Sequence, residues 1–262
     1  MHKIVTGGAS ITSGPWPTWV DILKEKYQAE LIDVSKIGLG NEAIVATALH
    51  QASQLDGDIT VIVMLTNIDK WDWYVDHPGL FEKFSHEKHT ITKLGQDHKG
   101  GFWGTGSWFP LEKAVYKDNF YSEDYFVMRT LQIIAVFNQV CNQQGWHGHI
   151  IFDSPVWSMT EQEVNQGGVI DTTSNRLIKT PLNNWLYKSL NLDIYEPGLI
   201  GFLYKNNIPW YSPKYRAHPG PKAHYEFSKK YLFPKLDYIP ALANDNAWVD
   251  SYIEKMDQLW TA

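Results

Sequence analysis

The sequence predicts an α/β fold, a three-layer α/β/α sandwich on a mostly parallel sheet of the flavodoxin-like kind, and three observations predict it. Short β-rich runs alternate with amphipathic runs at helical spacing three times in the N-terminal quarter, an order that calls for crossover helices between parallel strands. The third β-run, "DITVIVMLT", is almost continuously apolar, as a strand covered on both faces must be. The length of 262 residues, 44% of them hydrophobic, suffices for one large α/β domain and is marginal for two. Residues 1–262 are therefore read as a single domain with insertions at about 70–121 and 158–213.

The elements follow in order. Residues 3–6 read as a short buried strand. Trp19, Ile22, Leu23 and Tyr27 then recur at helical spacing behind Pro15 and Pro17, which suit a helix start. "AELIDVSKIG" is the second strand. Asn41 is expected to cap a helix whose apolar face carries Ile44, Val45, Ala48, Leu49 and Ala52, and "DITVIVMLT" follows. Over residues 70–121 periodicity fails in a stretch rich in Trp, His and Gly and longer than a connector needs, which suggests a lid or wall over the strand ends. Ser122 caps a strong helix with Phe126, Thr130, Ile133, Ile134, Phe137 and Cys141 on one face, and Gly145 closes it. "GHIIFDSPVW" is the fourth strand. After a second irregular region, 158–213, "HPGPKAHYEFSKKYLF" predicts a final helix that starts at Pro221 and carries Ala223, Phe227 and Tyr231.

Composition narrows the function. The net charge of −6 without a basic stripe argues against nucleic acid. A single cysteine, Cys141, gives neither a disulfide framework nor a thiolate metal site and is read as core filler. No apolar run approaches the roughly 20 residues of a membrane helix. The first strand starts too early to leave room for a signal sequence, so a cytoplasmic protein without membrane contact is expected. No cofactor or metal is expected either. His147 and His149 flank Gly148 at a helix-to-strand turn, and "HEKH" at 86–89 with His77 and His98 suits a solvated loop better than a ligand set. "GGASITSG" has the glycines of a phosphate loop but lacks its Gly-Lys-Ser/Thr. The 12 Trp, 14 Tyr and 11 Phe, many outside the regular elements, fit either a surface for sugars and other flat ligands or the packing of long loops.

In open parallel sheets ligands bind beyond the carboxyl ends of the strands. There the first strand delivers Ser10, the second Gly38, Gly40 and Asn41, the third Asn67 and Asp69, and the fourth Asp153. Ester hydrolysis needs a nucleophile, a base to take its proton and donors aimed at the oxyanion. Ser10 can be the nucleophile, with its own N–H, a glycine N–H and the Asn67 amide as donors. Taken singly, Ser10 can equally cap the first helix and Asn67 a turn.

As a set, these positions resemble the SGNH (GDSL-like) hydrolase family. "GGASIT" at 7–12 resembles its Gly-Asp-Ser block, "GLGNEA" at 38–43 its second block, "LTNID" at 65–69 its Gly-x-Asn-Asp block and "HPGPKAH" at 218–224 its His-Pro-x-x-x-x-His block. The resemblance implies the three-layer fold, with Ser10 as nucleophile, His218 as base, and Gly40 and Asn67 as oxyanion donors. Ala9 stands where the family has Asp, Leu65 where it often has Gly, and Tyr215 where an acid three residues before the histidine orients the imidazole. Another acid, a backbone carbonyl or a loss of activity would each account for Tyr215. His218, held extended before Pro219, is a better-placed base than His224 inside the helix.

The expected function is a serine ester hydrolase that removes the acyl group of a carbohydrate O-acetyl ester through an acyl-enzyme. Asp69, Trp71 and Asp153 are expected to contact a small-molecule or glycan ester. An O-acyltransferase on the same residues, or a non-catalytic glycan-binding or particle-associated protein, remains open.

Overall fold

A computed structural model describes residues 1–14, 16–68, 72–75, 91–93, 102–105, 122–154, 180–190, 198–208, 218–242 and 246–261. Its centre is a four-stranded parallel sheet of β1 (His2–Gly7), β2 (Ala29–Asp33), β3 (Ile59–Leu65) and β7 (His147–Phe152), in the order β2-β1-β3-β7. The register pairs Val5 with Ile32 on one side and Val61 on the other, and Val63 with Ile150. Residues at alternate positions serve opposite faces, as the pleat requires. Val5, Val61, Val63, Leu65, Ile150 and Phe152 enter one core, while Ile4, Ile62, Met64 and Ile151 enter the other.

Helices cover both faces, so the structure is an α/β/α sandwich. On the first face lie α2 (Asn41–Ser53), through Ala43, Ile44 and Ala48, and α3 (Glu123–Gln144), through Leu131, Ile134 and Phe137. On the second lie α1 (Trp19–Lys26), through Trp19, Val20 and Leu23, with α5 (Gly198–Lys205) and α6 (Pro221–Phe227). Each fully buried aliphatic or aromatic side chain of these layers contributes about 1.5–3 kcal/mol of transfer free energy. The chain leaves β1 in one direction toward β2 and then crosses back over β1 to β3. Right-handed crossovers therefore put α1 on one face and α2 on the other, and the strand order reverses between β1 and β3, the position beside which open α/β sheets bind ligands.

Close packing explains two residues of the fourth strand and its covering helix. A Cβ on Gly148 would come 2.9 Å from Cys141 Sγ and 3.0 Å from Phe137, so α3 lies directly on β7. Cys141 is 2% exposed, and burial pushes its thiol up to about 12, in keeping with a packing role.

Four sequence expectations are corrected. Within 70–121 the described residues form an antiparallel sheet, β4-β6-β5, of β4 (Asp72–Val75), β5 (Ile91–Lys93) and β6 (Phe102–Thr105); strands of three or four residues are too short to show periodicity. Within 158–213 lie two helices, α4 (Pro181–Leu190) and α5. The cap of α2 is Gly40, with Asn41 the first helical residue. Finally, α6 stops at Phe227, where the chain widens into a π-turn, Ser228–Leu232, beside the hydrogen bond from Ser228 Oγ to the His224 carbonyl (2.8 Å). A further helix, α7 (Asn246–Thr261), follows. No described helix is long and apolar enough to cross a membrane.

Candidate active site

The loop after β1 is a tight turn in which the N–H groups of Thr12 and Ser13 both donate to the Ala9 carbonyl at 3.0 Å. Gly8 is required by contact, since a Cβ there would fall 2.1 Å from Thr12 Oγ1. Thr12 in turn donates to Met64 Sδ (3.4 Å) and accepts from Trp19 Nε1 (3.2 Å), which fixes the turn to β3 and α1. Ser10 sits half-buried at the top of this turn. It does not cap the first helix: Thr18 does, accepting from Val20 N–H while its own N–H donates to Asp21 in a capping box.

A residue unremarked in the sequence brings the distant histidine to this loop. Trp16 Nε1 donates to the Pro219 carbonyl at 2.9 Å, and the Trp16 ring meets the His218 ring edge-on with centroids 5.8 Å apart. His218 is half-buried there. His224 is fully buried on α6, and neither ring nitrogen has a hydrogen-bond partner among the described residues. Burial, with His218 adding to it against a backbone contact at Pro219, lowers the His224 pKa to about 3. His224 is thus enclosed in the fold, where burial disfavours its charged form.

At the next strand end Asn41 holds the loop that carries Asn67. Its Oδ1 accepts from the Thr66 N–H (2.8 Å) and its Nδ2 donates to the Thr66 carbonyl (3.1 Å). Asn67 follows, half-buried, with Oδ1 accepting from Ser154 Oγ at 2.6 Å. Ser154 Oγ is also 2.6 Å from Asp153 Oδ1. Asp153 and Ser154 are 5% and 4% exposed at the end of β7. The chain there is fixed by Asp153 N–H to the Leu65 carbonyl and Ile200 N–H to the Asp153 carbonyl, both 2.9 Å.

Gly40 differs from the expectation. Its N–H donates to Asp72 Oδ1 at 2.8 Å, and the Ala43 N–H donates to Asp72 Oδ2 at 2.9 Å. A carboxylate from the neighbouring small sheet thus caps α2 where Gly40 has no side chain to do so. The donor assigned to an oxyanion is engaged at rest. Burial raises the Asp72 pKa to about 7; the Ala43 and Gly40 bonds oppose the rise, Glu42 adds to it and Arg129 opposes it. Arg129 and Glu42 form an ion pair beside it.

Ser10, His218, Gly40, Asn67 and Asp153 therefore all lie at the carboxyl end of the parallel sheet. Asp69, Trp71 and Tyr215 lie outside the described residues. His147 and His149, by contrast, are at the opposite end. The His147 ring stacks on Tyr238 at 4.4 Å, and His149 Nε2 is 3.0 Å from Tyr238 OH. A cavity of about 530 Å³ lined by Lys26, Tyr27, Tyr225, Lys229, Phe233 and Asp237 is also at that far end, next to the start of β2, away from the serine. Sequence reasoning passed over Trp16, Asp72 and Ser154. Only Ser154 had a local signal, as the polar neighbour of Asp153 at the end of an apolar strand.

No family model matches the chain, and no curated protein matches it. Among solved structures, the chain is similar to a member of the lipolytic protein G-D-S-L family from Veillonella parvula DSM 2008. The identity is 11%, with 88% of this chain and 97% of that chain covered and a TM-score of 0.42. A likeness so remote carries no argument about activity.

Proposed function

We propose that the protein is a serine ester hydrolase. The observation that carries this reading is the Trp16–Pro219 hydrogen bond with the Trp16–His218 ring contact, which holds a histidine from the far end of the sequence against the loop of a serine that caps no helix. Ser10 Oγ attacks the acyl carbonyl while His218 takes its proton. The Ser10 N–H and Asn67 Nδ2 receive the charge that develops on the carbonyl oxygen. Collapse expels the alcohol, which recovers the proton from His218 and leaves an acyl-serine. Water then attacks, with His218 again as base, to release the acid and restore Ser10. Gly40 becomes a third donor only when Asp72 lets go of its N–H.

The substrate class most in keeping with the family resemblance and with the tryptophans of residues 70–121 is a carbohydrate O-acetyl ester, with Asp69, Trp71 and Asp153 as contacts. With a sugar hydroxyl in place of water as the attacking group, the same residues make an O-acyltransferase. A second reading, a glycan-binding or particle-associated protein that has lost the chemistry, is favoured by Ala9 and Tyr215 standing where the family carries acids.

Labelling with a fluorophosphonate decides between catalyst and binder, because it needs an activated serine and no knowledge of substrate. Wild type is expected to label and Ser10→Ala to remain blank; a wild type inert across pH 6 to 9 would leave the binder. Within the catalyst reading, Asn67→Ala should lower kcat on p-nitrophenyl acetate by roughly 10²–10³ with KM little changed, since the amide acts on the oxyanion. A loss confined to KM would remove Asn67 from that role.

A further inference from the structure

A side-chain amide can present either its oxygen or its NH₂ to a site, and only the NH₂ end can stabilise an oxyanion. The Asn67 side chain has no intrinsic preference between the two, so a neighbouring group must set it. That neighbour is Ser154, whose hydroxyl lies 2.6 Å from Asn67 Oδ1. A donor on the carbonyl end leaves both Nδ2 hydrogens available on the other side.

Ser154 is itself tightly placed. It is 4% exposed and 2.6 Å from Asp153 Oδ1. Its backbone is pressed against Gly198 at the start of α5, where an added Cβ would sit 2.8 Å from Ser154 O and 2.9 Å from Ser154 N. Gly198, at φ +64°, is the residue type that allows this approach. Ser154 Oγ is thus the one donor between two acceptor oxygens, Asp153 Oδ1 and Asn67 Oδ1, each at 2.6 Å.

We propose that Ser154 is a positioning residue for the candidate oxyanion hole: its hydroxyl, backed by Asp153, fixes the Asn67 amide with Nδ2 turned to the end of β1. This rests on the hydrolase reading for its catalytic consequence, though the contact itself does not. Preorganised donors are effective because they need no reorientation as charge develops, so an Asn67 free to turn should lose part of its effect on kcat and none on substrate affinity.

The test is a double-mutant cycle on p-nitrophenyl acetate hydrolysis, joined to NMR of the Asn67 side-chain NH₂ pair, identified by its disappearance in Asn67→Ala. Ser154→Ala, which removes one oxygen from a buried site, is expected to lower kcat about tenfold with KM within twofold. It should have no further effect in an Asn67→Ala background and should shift the Asn67 NH₂ resonances. Wild-type kcat in Ser154→Ala, an equal loss in both backgrounds, or an unmoved NH₂ pair each overturns the proposal. If wild type shows no turnover, or Ser10→Ala leaves turnover intact, the hydrolase reading falls separately, and the NMR arm still decides whether Ser154 positions the amide.

Discussion

Two buried titratable side chains sit on opposite faces of the sheet and are handled in opposite ways. On the α2 face, Asp72 is 4% exposed and receives two backbone N–H groups. On the α6 face, His224 is 0% exposed with both nitrogens unpartnered among the described residues. Burial drives each toward its neutral form, which moves Asp72 up to about 7 and His224 down to about 3. The polar atoms of Asp72 terminate a helix and tie the small antiparallel sheet to the second loop of the candidate site. Those of His224 make no hydrogen bond of good geometry among the described residues. A buried polar group is thus informative through its partners rather than through its burial alone.

The sharpest way to break this contrast is to delete both groups singly. Asp72→Ala strands the Gly40 and Ala43 N–H groups, and at about 1–3 kcal/mol for each unsatisfied donor it should destabilise the fold by roughly 2–4 kcal/mol in urea unfolding. A loss under about 0.5 kcal/mol would show that α2 does not depend on this cap. His224→Ala should cost a similar amount, by opening a cavity. His224→Leu, close to histidine in volume, should cost far less, because the site stays filled and no hydrogen bond of good geometry is lost among the described residues.

The next effect is in the pH dependence, where the signs differ. The folded-state pKa of Asp72 lies above the unfolded value near 4, so its contribution is present at low pH and is lost as pH rises to about 7. His224 has a folded value below the unfolded value near 6.5, so its contribution is present above that pH and is lost as pH falls toward about 3. Between about pH 4 and 6.5 the two slopes oppose each other. In His224→Leu the Asp72 slope should stand alone, with stability falling by up to about 1.4 kcal/mol per pH unit as pH rises through that window. Asp72→Asn should expose the reverse slope. Identical profiles for wild type and His224→Leu would mean that His224 is not held neutral.

The smallest effect is expected at the ion pair beside Asp72. Arg129 and Glu42 are each partly exposed, and Glu42→Gln should change stability by less than about 1 kcal/mol. Because Glu42 helps to raise the Asp72 pKa, the variant should also shift the Asp72 limb of the stability profile to lower pH. A profile that stays in place would show that Glu42 does not act on Asp72.

The sequence by itself determined the parallel sheet, the helices on its two faces and the strand ends where Ser10, Asn67 and Asp153 converge. Those properties follow from local periodicity, turn glycines and the order of elements, all of which are written along the chain. It also showed which histidine stands before a proline in a loop and which lies inside a helix. It did not show the short strands of residues 70–121, whose three or four residues are held by pairing with one another rather than by their own pattern. It misplaced the α2 cap, because an Asn at the start of a helix looks alike whether it bonds its own N-terminus or, as here, the backbone of Thr66. Only the tertiary structure decided that Thr18 rather than Ser10 caps the first helix, that Asp72 engages Gly40, that Trp16 draws His218 to the serine loop and that Ser154 meets the Asn67 amide. The last three are side-chain contacts between residues 32, 203 and 87 positions apart, counting Trp16 to its Pro219 acceptor. Contacts at such separations depend on how the layers pack, and no local pattern encodes them.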